Sequence, residues 1–310
     1  MLEFIVSALT LLVSLVVLAV ASFFTIKYIE DFMELIRLSE VAAGFVILAI
    51  MTCMPELTVA IFAVQQDVVG ITIGDILGSH IFNIGIVVGL LAAFGSLKNC
   101  STASLVELTD LLFLASLIPL LLFAYKIASP LVGFALILVF VFSSYRMSKK
   151  KHPPTSDDVK VKSRRQKTPI ILIAILSAGA IVVLAARFAV ISASEIVGFL
   201  GISHPEIGAK IVAVGTSLPE LAFGLIAMKR GRVHLALGDA VGANLTTITL
   251  VLGLVLFFAP FTIETTMFAE ILAFVLITNL ILWRYLIRGG VTQTGGIILI
   301  MTYVIFQAIF

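Results

Sequence analysis

The feature that most constrains the fold of this chain is an internal repeat at an offset of 164 residues. The run Thr52–Leu57, which reads TCMPEL, returns as Thr216–Leu221, which reads TSLPEL. The same offset relates Gly74-Asp75 to Gly238-Asp239, Gly78 to Gly242, and Gly89-Leu90 to Gly253-Leu254. A match kept over so much of the chain predicts a unit duplicated end to end.

Composition places this duplicated unit in a membrane. The chain has 310 residues, of which 61% are hydrophobic and 12% are charged. A soluble domain of this length could not bury so much apolar surface. Stretches of about 20 apolar residues, enough to cross the hydrocarbon core, recur along the whole chain. We predict ten such spans, at 4–25, 41–64, 71–95, 103–124, 128–146, 169–187, 208–228, 234–258, 263–283 and 291–309.

The order of the spans predicts inverted repeats. Shifting the first five spans by 164 residues brings them onto the second five. Because five is odd, the second unit enters the membrane in the opposite orientation, an arrangement known in transporters. We therefore predict an all-α integral membrane protein of ten transmembrane helices in two inverted five-helix repeats. The repeats cover 1–146 and 169–310, and a basic linker covers 147–168.

The basic residues predict the orientation. With both termini outside, 17 of the 20 lysines and arginines fall in cytoplasmic loops, and only Lys126, Arg187 and Lys210 do not. The positive-inside rule favours this topology, with the linker in the cytoplasm near anionic lipid headgroups. We expect a multi-pass protein of the cell membrane, monomeric and without a nucleic-acid partner. The segment Lys27–Glu40 is predicted to lie at the cytoplasmic interface or to extend the first helix.

Each repeat places one glutamate near the middle of an apolar span. Glu56 lies about halfway along the second span, counted at ~1.5 Å per residue, and Glu220 occupies the equivalent place in the seventh. An ionised carboxylate at this depth is costly unless a cation or a proton neutralises it. Pro55 and Pro219 lack the N–H of a regular helix, so they free backbone carbonyls beside Thr52 and Thr216.

Carboxylates, hydroxyls and carbonyls form an all-oxygen set, which suits hard cations such as Ca²⁺ and Na⁺. A proline kink with a hydrogen-bonded glutamate would explain one such motif, but two symmetric copies favour an ion transporter. The four histidines are scattered at 80, 152, 204 and 234. We find no nucleophile with a base and no His/Asp metal centre, so we predict no enzymatic activity and no cofactor. A passive channel would not need inverted repeats.

The third and eighth spans carry further polar residues. Ser79 and Asn83 are spaced i, i+4, so they share one helical face and can both face the site. Asp75 and Asp239 are placed near the predicted starts of their helices, where capping or dipole compensation is expected, with a role in the ion path as the alternative. His80 has two interpretations, a proton relay or a hydrogen bond between helices.

The doubled pattern G-x-x-x-x-A-x-x-T-x-x-P-E, at Gly44–Glu56 and Gly208–Glu220, resembles the alpha repeats of sodium/calcium exchangers. The run Gly78–Asn83, which reads GSHIFN, is similar to the second half of the first alpha repeat. The resemblance covers the whole chain, with alpha motifs at 44–90 and 208–254, and points to the compact prokaryotic members of the cation/calcium antiporter superfamily.

This resemblance implies an ion site built from the second, third, seventh and eighth helices. Glu56 and Glu220 would bind Ca²⁺ and Na⁺ in alternation, and the first and sixth helices would slide together to switch access. The further ligands implied are the hydroxyls of Thr52 and Thr216, the carbonyls of Ala49 and Ala213, Ser79 and Ser217 at the Na⁺ sites, and Asn83 beside the centre.

The chain departs from the family pattern at three positions. Cys53 and Ala243 stand where the prokaryotic exchangers have serines, and Thr247 stands where they have an acid. Three oxygen-bearing groups are thus weakened, lost or made neutral, which favours H⁺ as counter-ion, whereas the GTSLPE wording of the second repeat favours Na⁺. We expect Ca²⁺/Na⁺ antiport, with Ca²⁺/H⁺ antiport on the same scaffold as the alternative.

Overall fold

The computed structural model describes residues 2–33, 40–43, 45, 49–95, 97–125, 129–149, 168–259 and 265–309, and these residues are almost entirely helical. Most of the predicted linker 147–168 lies outside the described residues. The helices are α1 (Leu2–Met33), α2 (Ile50–Thr52 and Met54–Gln65), α3 (Val69–Phe94), α4 (Ala103–Tyr125), α5 (Pro130–Ser148), α6 (Thr168–Leu200), α7 (His204–Lys229), α8 (Val233–Phe258), α9 (Thr265–Ile287) and α10 (Gln293–Ile309). A short helical turn, Glu40–Ala43, precedes α2.

Among the described residues, eight helices are long and apolar enough to cross a membrane. The prediction of ten spans differs from this at the second and the last. The helix Met54–Gln65 has 12 residues, because α2 breaks at Cys53 inside the predicted span 41–64, and residues 44 and 46–48 of that span lie outside the description. The helix α10 has 17 residues, or about 26 Å at 1.5 Å per residue, slightly short of the hydrocarbon thickness.

Two helices are longer than the sequence predicts. The helix α1 continues to Met33, which agrees with the interpretation of the following charged segment as an extension of the first helix, although 34–39 lie outside the described residues. The helix α6 continues past the predicted end at Arg187 to Leu200. Arg187 is exposed while its neighbours on the opposite face are buried, so this charge does not require the helix to end.

Two separate hydrophobic clusters form the core. The larger one joins α2, α3, α4, α5, α7, α8, α9 and α10. The smaller one consists mainly of α1 and α6, which pack along each other and touch α2, α3 and α7 through a few residues. On α6 this contact is made by alanines one turn apart, Ala185, Ala189 and Ala193, and on α1 by leucines. The pair α1/α6 is therefore distinguishable from the rest of the protein by its packing.

Contacts between the halves are reciprocal under the 164-residue offset. On α3, a Cβ added at Gly74 would collide with the carbonyl oxygen of Pro205 on α7. On α8, a Cβ at Gly238 would lie 2.9 Å from Cα of Val41, the counterpart of Pro205. Glycine permits these close helix crossings because it carries no side chain. The same two crossings thus bring α3 against α7 and α8 against the start of the second span.

Candidate cation site

The two copies of the TxxPE motif fold in the same way. The helix α2 is interrupted at Cys53 (φ −76°, ψ 2°) and α7 at Ser217 (φ −91°, ψ 2°). Each helix resumes at the next residue, with proline second and glutamate third, so Glu56 and Glu220 lie in the first turn of the new helix. The positive end of a helix dipole favours negative charge at this position. Proline sets the break because it can start a helix but cannot continue one.

Both glutamates are completely buried, and none of their four carboxylate oxygens has a hydrogen-bond partner among the described residues. Their charges interact with each other, and that of Glu56 also interacts with Asp75. Buried polar atoms in proteins are almost always hydrogen-bonded, so four unpartnered carboxylate oxygens are unusual. Leaving them ionised and bare inside a membrane would cost several kcal/mol, so the site requires a cation or a proton.

The two threonines reach across the interface between the repeats. Thr216 Oγ1 donates to Asp75 Oδ1 at 2.8 Å, and Thr52 Oγ1 donates to Asp239 Oδ1 at 3.3 Å. Both aspartates are buried seventh residues of their helices, which begin at Val69 and Val233. The expectation that they cap these helices is therefore wrong. A capping residue lies at the end of a helix, whereas these two lie a full turn and more inside, bound to the opposite repeat.

The other implied ligands lie in the same region but are engaged to different degrees. The Ser217 hydroxyl is buried and has no partner in the described part of the chain, whereas Ser79 Oγ donates to the carbonyl of Ile76 at 3.1 Å. Asn83 Nδ2 donates to Asn244 Oδ1 at 3.0 Å, and Asn83 Oδ1 has no partner among those residues. Thr247 Oγ1 donates to the carbonyl of Asn244 at 3.1 Å.

Each of the implied carbonyl ligands accepts one backbone hydrogen bond. The carbonyl of Ala49 accepts the N–H of Cys53 at 3.1 Å, and that of Ala213 accepts the N–H of Ser217 at 3.2 Å. The hydroxyls of Thr52 and Thr216 also lie within 3.4 Å and 3.2 Å of these two oxygens. Each carbonyl oxygen keeps a second lone pair for a cation, since the single proton of its threonine hydroxyl is donated to the aspartate of the opposite half.

Two of the three departures from the family pattern touch each other. The thiol Sγ of Cys53 donates to the carbonyl of Ala243 at 3.4 Å. Thr247 is completely buried and begins a π-helical stretch in α8, at the position where Asn83 begins one in α3. Such stretches often mark functional sites in helices. All three positions therefore belong to the buried polar region, where a lost or weakened oxygen matters.

His80 belongs to a polar chain between α3, α9 and α4. Its Nε2 lies 2.8 Å from Asn279 Oδ1, and Asn279 Nδ2 donates to Ser116 Oγ at 2.6 Å. The hydrogen bond between helices that the sequence allowed for His80 is thus present. Asn279 and Asn244 escaped the sequence analysis. Both could have been noticed, Asn244 as the counterpart of His80 at offset 164 and Asn279 as an amide in an apolar span.

The buried glutamates and aspartates are close enough for their charges to interact, but they do not form a single metal-binding cluster. The charge of Glu220 interacts with Asp239 and Asp75, as that of Glu56 does with Glu220 and Asp75. Within the described ranges, no three acidic, cysteine or histidine side chains converge closely enough to hold one metal ion. Any ion here would combine one or two carboxylates with neutral oxygens, as hard cations commonly do.

Comparisons with known proteins agree with this geometry. The family model for the sodium/calcium exchanger protein matches residues 6–149 and 170–310. The chain is 28% identical to the sodium/calcium exchanger MaX1 of Methanosarcina acetivorans, over 98% of each chain.

Solved structures show the same fold. The sodium-calcium exchanger NCX_Mj, soaked with Na⁺, is 25% identical, with a TM-score of 0.70 and coverage of 98% of this chain and 99% of that one. The H⁺/Ca²⁺ exchanger CAX has a TM-score of 0.79 at 17% identity and shows the fold alone, over 98% of this chain and 82% of that one. With its doubled motif, its buried acids and a family model matched across both halves, this chain belongs to the sodium/calcium exchanger protein family.

Proposed function

We propose that the protein is a secondary antiporter that exchanges Ca²⁺ for Na⁺ across the cell membrane. One observation carries the proposal: two fully buried glutamates, in matching helix breaks of the two halves, leave all four carboxylate oxygens without a partner among the described residues. Two carboxylates carry a charge of about −2, which balances one Ca²⁺ or two Na⁺. Membership of the exchanger family and the relationship to MaX1 support the choice of ions.

Coupling follows from competition for the same oxygens. A Ca²⁺ bound between Glu56 and Glu220 excludes Na⁺ there, and the reverse holds when Na⁺ is bound. An empty site would leave buried charges uncompensated, so only a loaded site changes access at low cost. Ser217, Ser79, Asn83, Thr52 and Thr216 would supply neutral oxygens around the glutamates.

The moving part would be the pair α1/α6. These helices form their own hydrophobic cluster, and the small alanine side chains of α6 offer a smooth surface. Leu15 of α1 lies against Gly215, next to Thr216 and the break in α7, within 2.8 Å of where a Cβ would stand. A shift of α1 along the bundle would therefore reach the ion site directly.

The proposed architecture is two inverted repeats of five spans, with both termini outside and the basic linker in the cytoplasm. The reciprocal contacts of Gly74 with Pro205 and Gly238 with Val41 support a two-fold relationship of the halves. The reciprocal hydrogen bonds from Thr216 and Thr52 support it as well. The bias of basic residues to alternate loops supports the orientation.

A Ca²⁺/H⁺ antiporter is the second candidate, and Cys53, Ala243 and Thr247 favour it. A thiol, a methyl group and a neutral hydroxyl at these positions provide fewer oxygens for Na⁺, while Glu56 and Glu220 could still exchange Ca²⁺ for protons. The two candidate functions share the fold and the carboxylate pair, and they differ only in the counter-ion that is exchanged for Ca²⁺.

Uptake of ⁴⁵Ca²⁺ into proteoliposomes separates the candidates. We would compare an outward Na⁺ gradient, an outward H⁺ gradient and no gradient, each at a clamped membrane potential. Uptake with the Na⁺ gradient alone is the expected result, and uptake with the H⁺ gradient alone would establish the second candidate. Sustained uptake driven by potential without either gradient would indicate a channel and contradict both.

A further inference from the structure

The buried polar region contains a second pair of carboxylates, which the motif does not include. Asp75 and Asp239 are 0% and 1% exposed, and they are related to each other by the 164-residue offset. Each accepts one hydrogen bond on Oδ1, from the threonine of the opposite repeat. In each, Oδ2 is buried and has no hydrogen-bond partner among the described residues.

The unpartnered Oδ2 distinguishes these two aspartates from aspartates that serve only as hydrogen-bond acceptors within the fold. If Asp75 served only to receive the Thr216 hydroxyl, a neutral acceptor would be sufficient, and burying a carboxylate would add a needless cost. An arginine, a lysine or a protonated histidine would offset that cost. However, neither aspartate forms an ion pair with any of the described residues, and the charges that act on the glutamates beside them are all negative.

The carboxylates of Asp75 and Asp239 lie beside those of Glu56 and Glu220. The charge of Asp75 interacts with both Glu56 and Glu220, and that of Asp239 interacts with Glu220. The close approach of α7 at Gly208, where a Cβ would lie 3.0 Å from the backbone nitrogen of Asp75, fixes the aspartate beside the broken helix.

In the first half, a neutral hydroxyl oxygen near the aspartate is also available as a ligand. The hydroxyl of Thr72 is completely buried and has no partner in the described residues, and it lies one helical turn before Asp75. Residues three apart on a helix share a face. Ala236 stands at the equivalent place before Asp239, so the two halves differ in this oxygen.

We propose that Asp75 and Asp239 are cation ligands, so that the transporter binds its ions with four carboxylates and has an additional subsite in each half. This inference rests on the proposed cation antiport and extends its ion site. Four carboxylates carry about −4, so one Ca²⁺ leaves a charge of −2 for further cations, and a Ca²⁺-free site takes more Na⁺ than the glutamates alone would hold. Separate subsites also fit the absence of a three-residue metal cluster within the described ranges.

The substitutions Asp75→Asn and Asp239→Asn separate charge from hydrogen bonding. Asparagine keeps an oxygen that accepts the threonine hydroxyl and removes the negative charge, whereas Asp75→Ala and Asp239→Ala remove both. Asp110→Asn is a matched control, because exposed Asp110 accepts the indole N–H of Trp283 at 2.8 Å away from the site. Glu56→Gln reports on the glutamate pair itself.

The measurement is equilibrium binding of ⁴⁵Ca²⁺ to the purified full-length protein, with displacement by increasing Na⁺. We expect each Asp→Asn variant to raise the Kd for Ca²⁺ about tenfold or more, or to lower the Hill coefficient of Na⁺ displacement by about one. The Asp→Ala variants should behave like the Asn variants, and Asp110→Asn should match the wild type.

Binding and displacement equal to wild type in both Asn variants would overturn the inference and leave the aspartates as hydrogen-bond acceptors. If Glu56→Gln at the same time abolishes binding, the proposed function stands and only this extension of it falls. If Glu56→Gln binds Ca²⁺ as the wild type does, the proposed function itself falls. Size-exclusion elution of each variant excludes misfolding, and Asp239→Asn provides the test should Asp75→Asn fail to fold.

Discussion

At the scale of single residues, the proposed ion binding depends on two pairs of buried carboxylates. Glu56 and Glu220 owe this position to the prolines before them, which end one helical segment and begin the next. The break directs a buried acid to the start of a helix, where the dipole favours its charge. Under the proposed function, a bound cation would offset the cost of burying this charge, which would make ion binding favourable.

Glu56→Gln or Glu220→Gln should reduce Ca²⁺ exchange to background. Glutamine has almost the same shape and keeps the helix start, but it removes one of the charges that balance Ca²⁺. The check is ⁴⁵Ca²⁺ uptake into proteoliposomes, with Glu107→Gln, outside the buried site, as the matched control. Near-normal uptake by either buried variant would contradict the site.

Thr247→Asp should change the dependence of transport on Na⁺ or H⁺. Thr247 is completely buried, and an acid there adds a charge to the polar region at the equivalent of Asn83. The check is Ca²⁺ uptake at a series of Na⁺ concentrations and pH values. Thr247→Asn serves as the neutral control of the same shape, and an unchanged profile in the Asp variant would place position 247 outside the site.

At the scale of helices, close crossings fix the site. The backbone of α3 touches that of α7 at Gly74 and Gly78, and the backbone of α8 touches the second span at Gly238 and Gly242. Small residues permit such approaches in membranes, where packing rather than the hydrophobic effect holds helices together. These crossings bring each aspartate within reach of the threonine of the other half.

Gly74→Ala should destabilise the protein and impair transport. Its Cβ would collide with the backbone of α7 at Pro205 and Ala209, so the helices must separate, at a cost of about 1–3 kcal/mol. Gly198→Ala is the control, since nothing lies within 4 Å of a Cβ there. Thermal unfolding in detergent measures the difference, and equal midpoints for the two variants would contradict the crossing.

The sequence was sufficient to predict the interruptions of α2 and α7 and the burial of Glu56 and Glu220, because each has a local cause in a proline or in the apolar span around it. The role of Asp75 could not be predicted in the same way. Its partner, Thr216, is distant along the chain and meets it only through the α3/α7 crossing. The predicted span also began two residues later than α3 does, which made capping a reasonable expectation. The signal in the sequence was the recurrence of Asp75 as Asp239 at the 164-residue offset, because an aspartate that only caps a helix does not have to be the same residue in both repeats.

At the scale of the whole molecule, the proposed antiport requires that the buried site open to each side of the membrane in turn. Cys53 is 2% exposed and lies in the polar region with its thiol against Ala243. Among the described residues, this thiol is therefore shielded from water. Cys53 and Cys100 are the two cysteines of the chain, so Cys53 can be isolated as a probe.

In a Cys100→Ser background, a small water-soluble thiol reagent should modify Cys53 slowly, and saturating Ca²⁺ should slow it further. The reaction requires opening of the site, and a bound cation obstructs the same space. The measurement is the rate of labelling by mass spectrometry, with Cys53→Ser, which keeps only Cys100, as the control. An equal rate of Cys53 labelling with and without Ca²⁺ would contradict the placement of Cys53 in the ion path.

The polar chain from His80 through Asn279 to Ser116 joins the two halves but has no symmetric counterpart, since Ala115 and Leu280 stand at the positions that the offset relates to Asn279 and Ser116. When access switches between inverted repeats, each half takes up the conformation that the other half had. Because this polar chain has no symmetric counterpart, the switch cannot restore the same hydrogen bonds. If one orientation keeps both bonds and the other breaks them, at about 1 kcal/mol each, the first is favoured by more than tenfold. Under the proposed antiport, the two orientations of the site would then be unequally populated, while the ion gradients would still set the direction of net transport.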